Sequence, residues 1–261
     1  MTNIKAKKSL GQNFLINQTI LEKIANVSDI TKADTILEIG PGTGNLTEKL
    51  LKTSAKIIAV EKDLRLEKTL NQRFETFKNF NLIFGDIRSI YPEFVKNQKS
   101  NFKVVANIPY YLSSFLFRLF FELSPKPAVI TLLIQKELAE RISKNNVLNN
   151  KLRMYTSLYF DSKYIETVKK TNFKPQPKVD SAIIKLTYKN VKYPKSFLTK
   201  FENIINAGFQ QPRKMLISNL KHYYNSSIDY LSIFEDLNID IKSRPEQLSF
   251  ETWLELINKL N

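Results

Sequence analysis

Short apolar runs alternate with helical patterns from residue 34 to about residue 188. The runs are rich in Ile, Val, Leu and Phe and have the length of buried strands. We predict six strands in this part of the chain: Asp34–Ile39, Ala55–Val60, Asn81–Phe84, Phe102–Ala106, Ala128–Ile134 and Val179–Tyr188.

Apolar residues at helical spacing fill most of the intervals between these runs. They predict helices over Leu46–Leu51, Leu64–Phe77 and Ser114–Leu123, and one from Lys136 onward. Regular alternation of strands and helices implies an α/β fold, a mostly parallel sheet with helices on both faces. Ligands of such sheets bind beyond the carboxyl ends of the strands.

The alternation stops at about residue 190, and the remaining chain has helical periodicity only. We predict four helices there: Phe197–Phe209, Arg213–Tyr224, Tyr230–Leu237 and Phe250–Leu260. The expected organisation is a first domain at 1–189, beginning with a basic arm at 1–16, and a small all-α domain at 190–261.

Composition excludes several kinds of site. The 261 residues include no cysteine, which excludes disulfides, thiolate metal sites and a cysteine nucleophile. His222 is the single histidine, so a histidine metal cluster is excluded too, and we expect no metal. Residues 1–15 lack the apolar stretch of a secretory signal, and no apolar run is long enough to span a bilayer. We expect a cytoplasmic protein with no membrane partner.

The net charge of +15 indicates a polyanionic partner. The charge is unevenly distributed, because residues 90–189 contain 17 basic and 7 acidic side chains. A merely soluble surface would mix both signs more evenly. We therefore expect a nucleic acid to bind this stretch.

Asn107-Ile108-Pro109-Tyr110 follows the predicted strand Phe102–Ala106. An amide, a proline and an aromatic ring at a strand end contribute little to a core. Proline favours an extended conformation in the residue before it, which can turn the Ile108 carbonyl outward beside the Asn107 oxygen. Two acceptors and a stacking ring suit a nucleobase amine, although a plain strand-to-turn transition has the same composition.

A glycine-rich loop, Gly40–Gly44, follows the first predicted strand and opens a helix. Glycines there let the backbone turn tightly and come close to a ligand. The dinucleotide pattern G-x-G-x-x-G would need glycine where Asn45 stands. The spacing G-x-G-x-G suits a nucleoside ligand without a pyrophosphate.

Glu61 and Asp86 follow the next two predicted strands. An acid at Glu61 is placed to accept ribose hydroxyls, and one at Asp86 to accept an adenine amine. Each acid alone is typical of a surface carboxylate. Together with the glycine loop they indicate a site for S-adenosylmethionine.

These motifs resemble those of the ribosomal RNA adenine N6,N6-dimethyltransferases, specifically the small-subunit enzymes linked to kasugamycin sensitivity. The resemblance covers nearly the whole chain. The matching segments are Leu10–Leu15, Glu38–Gly42, Glu61, Gly85-Asp86, Asn107–Tyr110, Gln135–Glu137, Phe173–Ser181, Phe209–Leu220 and Arg244–Ser249.

The resemblance implies a Rossmann-like class I S-adenosylmethionine-dependent methyltransferase sheet with a small all-α C-terminal domain for rRNA recognition. It also implies a role for each matching residue. Asn107 would hold the target amine next to Pro109, and Tyr110 and Phe173 would sandwich a flipped adenine. The cofactor would be held by Gln12, Asn13, Leu15, Gly40, Gly42, Glu61, Lys62, Asp86, Ile87 and Asn107.

Three positions depart from the family pattern. Pro212 stands where a second arginine is frequent, residues 149–151 replace a segment that often contains glycine, and Tyr111 replaces an Asn of some members. These departures bear on local RNA contacts.

The implied reaction is methyl transfer to N6 of two adjacent adenosines near the 3′ end of 16S rRNA in an immature 30S subunit, by a monomer. No general base is needed, since the nitrogen becomes acidic only after methylation; positioning and electrostatics suffice. Alternatives are a large-subunit rRNA methyltransferase of the macrolide-resistance type and a non-catalytic ribosome assembly factor. A nicotinamide dehydrogenase is disfavoured by Asn45.

Overall fold

The computed structural model describes residues 5–98, 102–143 and 148–260. The first four residues of the predicted basic arm lie outside the described residues. The chain forms two compact units, the first from Met1–Ser143 with Phe160–Tyr188 and the second from Lys144–Tyr159 with Lys189–Asn261. We call them the sheet unit and the helical unit.

One seven-stranded sheet forms the centre of the sheet unit, in the order β4-β3-β2-β5-β6-β9-β7. Its strands are β2 (Thr35–Ile39), β3 (Lys56–Glu61), β4 (Phe80–Phe84), β5 (Phe102–Asn107), β6 (Val129–Gln135), β7 (Phe160–Val168) and β9 (Ser181–Tyr188). Strands β2 to β6 are parallel, and β9 runs antiparallel to both β6 and β7. This sheet is the expected Rossmann-like fold, and the six predicted strands lie within two residues of observed ones.

Six helices accompany this sheet in the described residues. They are α1 (Gln18–Val27), α2 (Asn45–Leu51), α3 (Glu67–Phe74), α4 (Ile87–Lys96), α5 (Ser113–Glu122) and α6 (Lys136–Ser143). Helices α1 and α4 were absent from the sequence prediction, as was strand β7. An Asn17 cap, whose side chain accepts from the Ile20 amide, begins α1. Helix α4 contains Pro92, which weakens its helical signal. In β7 only the end residues Phe160 and Val168 are buried, so the strand lacks the apolar run that marks the other strands.

The N-terminal arm contributes a short strand. Strand β1 (Phe14–Leu15) pairs antiparallel with β8 (Phe173–Lys174), so that Leu15 lies opposite Phe173. Leu15 and Phe173 are both buried in the core that α1, α2 and α3 form against the sheet. This packing fixes residues 14–15 beside the carboxyl ends of the strands.

The helical unit contains α7 (Lys151–Tyr159), α8 (Lys195–Gly208), α9 (Leu216–Tyr223), α10 (Tyr230–Asp236) and α11 (Phe250–Lys259). Its core surrounds Trp253, whose ring nitrogen donates to the Pro245 carbonyl at 3.2 Å. Helix α7 belongs to this unit because Met154 and Leu158 are buried in the same core. The sequence placed the start of the helical domain at residue 190, and the roles of the two domains stay predictions.

Within the described parts of the chain, no helix combines the length and the hydrophobicity needed to cross a membrane.

Candidate functional site

A pocket opens where the chain order of the sheet reverses. From β2 the chain moves outward through β3 and β4 and then returns to β5 on the other side of β2. Such a switch point leaves a crevice beyond the carboxyl ends of the two strands. The pocket is lined by all the predicted site residues: Gln12, Asn13, Leu15, Gly40, Gly42, Glu61, Lys62, Asp86, Ile87, Asn107, Pro109, Tyr110 and Phe173.

The glycine loop forms the floor between β2 and α2. Gly40 and Gly42 have φ angles of +68° and +58°, which side-chain-bearing residues rarely adopt. A Cβ added to Gly40 would meet nothing within 4 Å, so the backbone there faces open space. A Cβ at Gly42 would lie 2.9 Å from the Phe14 ring. The loop therefore leaves room for a ligand at Gly40 and lets the arm pack closely at Gly42.

Glu61, at the end of β3, holds this loop in place. Its Oε2 accepts from the Gly42 amide at 3.0 Å, and its Oε1 accepts from the Lys62 and Asp63 amides at 2.8 Å. Burial raises the pKa of Glu61, and the three backbone donors oppose the rise. Oε1 accepts two bonds and Oε2 only one, so Oε2 keeps a lone pair with which the carboxylate can also accept from a ligand.

Glu38, the penultimate residue of β2, is the most unusual group in the pocket. It is 1% exposed, and neither carboxyl oxygen has a hydrogen-bond partner among the described residues. Burial raises the pKa of Glu38 to about 8, and the negative charge of Glu61 adds to the rise. The nearby Thr47 hydroxyl opposes it, although its geometry is not that of a regular hydrogen bond. Glu38 is therefore mostly protonated at neutral pH and can donate as well as accept a hydrogen bond.

Asp86 is ion-paired. Its carboxylate accepts from Lys62 at 2.9 Å and from the Arg88 guanidinium at 2.6 Å, and it caps α4 through the Arg88 amide. Arg88, with Lys62 in a smaller role, holds the pKa of Asp86 well below its usual range. Asp86 thus forms a charged edge of the pocket, and the adjacent Ile87 adds an apolar side chain to the same edge.

The N-terminal arm reaches three separate parts of the pocket. Gln12 donates to Asp63 at 2.8 Å, the Asn13 carbonyl accepts from the Asn107 amide nitrogen at 3.1 Å, and the Leu15 carbonyl accepts from Asn45 at 3.1 Å. The arm thereby joins the ends of β3 and β5 to the glycine loop.

Asn107 ends β5, and its side-chain amide is oriented by the arm. Because the nitrogen donates to the Asn13 carbonyl, the Oδ1 atom is left as an acceptor, and no donor to it is found among the described residues. Pro109 then begins a 3-10 turn at Tyr110–Leu112, with the Leu112 amide donating to the Pro109 carbonyl. The turn carries Tyr110 to the same pocket.

Tyr110 and Phe173 differ in how they are held. The Tyr110 hydroxyl lies 2.8 Å from Ser181 Oγ, and burial raises the pKa of Tyr110. Phe173 is only 4% exposed and belongs to the core. The structure brings both rings to the pocket, and their sandwiching of an adenine stays a prediction.

Glu38, Asp63 and Ser181 take part in the site but had no assigned role in the sequence analysis. A glutamate inside the apolar run of β2 was a usable signal, because carboxylates rarely occupy buried strands without a purpose. The role of Asp63 is visible only in three dimensions. Asp63 accepts hydrogen bonds from Arg65 and Gln12, and these partners, chiefly Arg65, lower its pKa to about 2.

Comparisons with known proteins agree on one family. The family model described as ribosomal RNA adenine dimethylase matches residues 3–261. The ribosomal RNA small subunit methyltransferase A of Mycoplasmopsis pulmonis is 39% identical over 98% of this chain and 100% of its own length.

Two solved structures resemble the chain over most of its length. A dimethyladenosine transferase from Plasmodium falciparum has a TM-score of 0.74 and 30% identity, covering 93% of this chain and 95% of its own. The 23S rRNA methyltransferase ErmE has a TM-score of 0.80, covering 95% of this chain and 99% of its own. At 24% identity, the second likeness concerns the fold alone.

Proposed function

The chain belongs to the ribosomal RNA adenine dimethylase family, and we propose that it transfers methyl groups from S-adenosylmethionine to N6 of two adjacent adenosines near the 3′ end of small-subunit (16S) rRNA. The product would be N6,N6-dimethyladenosine. The substrate would be the rRNA of an immature 30S subunit, and the enzyme would act as a monomer without a metal.

One observation supports the chemistry most directly. The glycine loop after β2 and Asn107 at the end of β5 meet in one pocket, because these strands are neighbours on either side of the switch point. A methyl donor bound at the loop would therefore lie beside an amine bound at Asn107. Positioning of this kind can supply roughly 7–11 kcal/mol of a reaction barrier.

The residues present suit S-adenosylmethionine. The open space at Gly40 admits a ligand close to the backbone, and the unpartnered Glu38 carboxyl offers both a donor and an acceptor. Glu61 would accept from the ribose hydroxyls and Asp86 from the adenine amine. When bound, S-adenosylmethionine supplies a methyl group on a positively charged sulfur.

The chain's own residues would orient the target nitrogen. The adenine amine is a poor nucleophile because its lone pair is delocalised into the ring. A hydrogen bond from the adenine N–H to Asn107 Oδ1 would favour a more tetrahedral nitrogen. The arm preorganises the Asn107 amide, because its nitrogen donates to the Asn13 carbonyl. Tyr110 offers a ring for stacking of the base, which is worth about 1–3 kcal/mol and offsets part of the cost of extruding it.

The test is mass spectrometry of rRNA fragments after incubation of the protein with unmethylated small-subunit particles and isotopically labelled S-adenosylmethionine. We expect two adjacent adenosines near the 3′ end to gain two labelled methyl groups each. Label in large-subunit rRNA alone would favour the macrolide-resistance type of enzyme. Cofactor-dependent binding of rRNA without any label would favour an assembly factor.

A further inference from the structure

The helical unit has a polar pocket of its own, outside the site described above. It is lined by Asn203, Asn206, Ala207 and Gln210 on one side and by Tyr223 and Tyr224 on the other. Three amides and two phenol rings, with no charged side chain, form its wall. The sequence resemblance assigned no role to any of these residues.

Two of the amides lie on α8 and the third lies just beyond it. Asn203 and Asn206 are about one helical turn apart, and Gln210 follows the end of the helix at Gly208, whereas Phe201, Ile204 and Ile205 of α8 are buried in the core. The Oδ1 atom of Asn206 is buried and has no hydrogen-bond partner in the described part of the chain. Such an acceptor is costly to leave unpaired, so a ligand that reaches this amide would gain from binding.

The opposite wall consists of rings at the end of α9. Tyr223 is 40% exposed, its hydroxyl accepts from the Gln211 side chain, and the His222 ring meets it edge-on with 4.4 Å between the centroids. These contacts hold an aromatic face in place at the surface. Amide groups beside fixed rings are the combination that proteins use to bind unpaired RNA bases.

The distribution of charged residues in the helical domain indicates which class of ligand fits this pocket. Residues 195–224, which include α8 and α9, contain five Lys and Arg residues and one acid. Residues 225–261 contain three Lys and Arg residues and seven acids. The helical domain is near neutral as a whole, but its basic residues are concentrated in the segment that also contains the pocket residues. This distribution favours a phosphate-bearing chain as the ligand.

We infer that this pocket binds an unpaired nucleobase of the rRNA substrate, at a point other than the adenosine being methylated. The inference rests on the proposed rRNA substrate. The amides would pair with the edge of the base and Tyr223 would stack on its face, while Arg213, Lys214 and Lys221 would attract the adjoining phosphates.

The experiment compares full-length Asn206→Leu and Tyr223→Ala variants with the wild type in binding to unmethylated small-subunit rRNA. Each change should weaken binding about tenfold, as expected for loss of one stacked or paired base. The Michaelis constant for rRNA should rise while kcat at saturating rRNA is retained. Asn258→Leu, at an exposed amide on α11, is the matched control and should stay within about twofold of the wild type.

Two further measurements separate base recognition from general effects. The slope of log Kd against log salt should be unchanged in the pocket variants, because a base contact releases no counterions, whereas Lys221→Gln should reduce it by about one. Thermal unfolding of Asn206→Leu should occur at or above the wild-type temperature, since the change removes an unpaired buried acceptor.

Wild-type rRNA affinity in both pocket variants would overturn the inference while leaving the proposed function intact, provided that the wild type methylates the rRNA. A reduced salt slope in both would also overturn it, because the residues would then act through charge. If the wild type binds S-adenosylmethionine but neither binds nor methylates small-subunit rRNA, the proposed function fails and this inference with it.

Discussion

The pocket of the sheet unit has two sides that hold polar groups in opposite ways. The inner wall, formed by Glu38, Glu61 and Asn107, places its acceptors among buried backbone. The charged rim, formed by Lys62, Asp86 and Arg88, pairs its carboxylate with two cations near solvent, where Lys62 and Arg88 are about half exposed.

Similar carboxylates consequently behave differently on the two sides. Burial raises the pKa values of Glu38 and Glu61, and ion pairing lowers that of Asp86. Both sides derive from the ends of parallel strands, so local sequence type does not explain the contrast. What differs is the solvent access of each strand end and the presence of a neighbouring cation.

The most severe break of the inner wall is Asn107→Ala. We expect kcat for rRNA methylation to fall about 10²–10³-fold, the usual result of removing one preorganised polar group that acts on the reacting centre. Single-turnover assays with labelled S-adenosylmethionine measure this loss.

Asn107→Asp is the matched variant. It keeps an acceptor oxygen but cannot donate to the Asn13 carbonyl, so its activity should be intermediate. Methylation at a near-wild-type rate by Asn107→Ala would show that Asn107 does not orient the target amine.

Glu38→Gln sharpens the contrast through pH. The folded-state pKa of about 8 lies above the ordinary value of 4.5, so between these values the folded wild type binds a proton that the unfolded chain lacks. The contribution of Glu38 to wild-type stability should therefore be largest below pH 4.5 and should fall as the pH rises toward 8, whereas the side-chain amide of the variant does not titrate.

As the pH rises through this window, the free energy of unfolding of the variant should increase relative to that of the wild type by at most about 1.4 kcal/mol per pH unit. Urea titrations of both proteins across the range provide the measurement. A difference that is constant with pH would mean that Glu38 is ionised in the folded protein.

Glu61→Gln tests the loop contacts. The amide keeps one oxygen, but its NH₂ group cannot accept from the Gly42 amide, which leaves a buried donor unpaired. We expect a loss of about 1–3 kcal/mol in unfolding free energy and a cofactor affinity about tenfold weaker. Calorimetric titration with S-adenosylhomocysteine measures the affinity; an unchanged value would exclude Glu61 as the ribose acceptor.

Asp86→Asn should have the smallest effect. Asn preserves the cap of α4, and the lost ion pairs involve half-exposed cations, so unfolding free energy should change by less than about 1 kcal/mol. Because the pKa of Asp86 is depressed, any stabilisation is present above pH 3.8 and is lost as the pH falls below it. Cofactor affinity should weaken several-fold; a loss as large as that of Glu61→Gln would erase the distinction between wall and rim.

The sequence alone determined six strands of the sheet and most of the helices, because periodicity and turn residues act locally; it missed β7, α1, α4 and α7. Glu61, Asp86 and Asn107 could be selected for the same reason: each follows an apolar run, and parallel strands bring their carboxyl ends to one edge. The family resemblance then supplied the arm residues Gln12, Asn13 and Leu15, which no local pattern marks.

Tertiary structure decided the rest, because burial and pairing depend on residues far apart in the chain. Only packing makes Glu38 a largely protonated acid, joins Asn107 to the arm 94 residues earlier, and draws α7 into the helical unit. Glu38 lies within an apolar strand and Asp86 just after one. The fold leaves Glu38 without a hydrogen-bond partner in the described chain and pairs Asp86 with two cations.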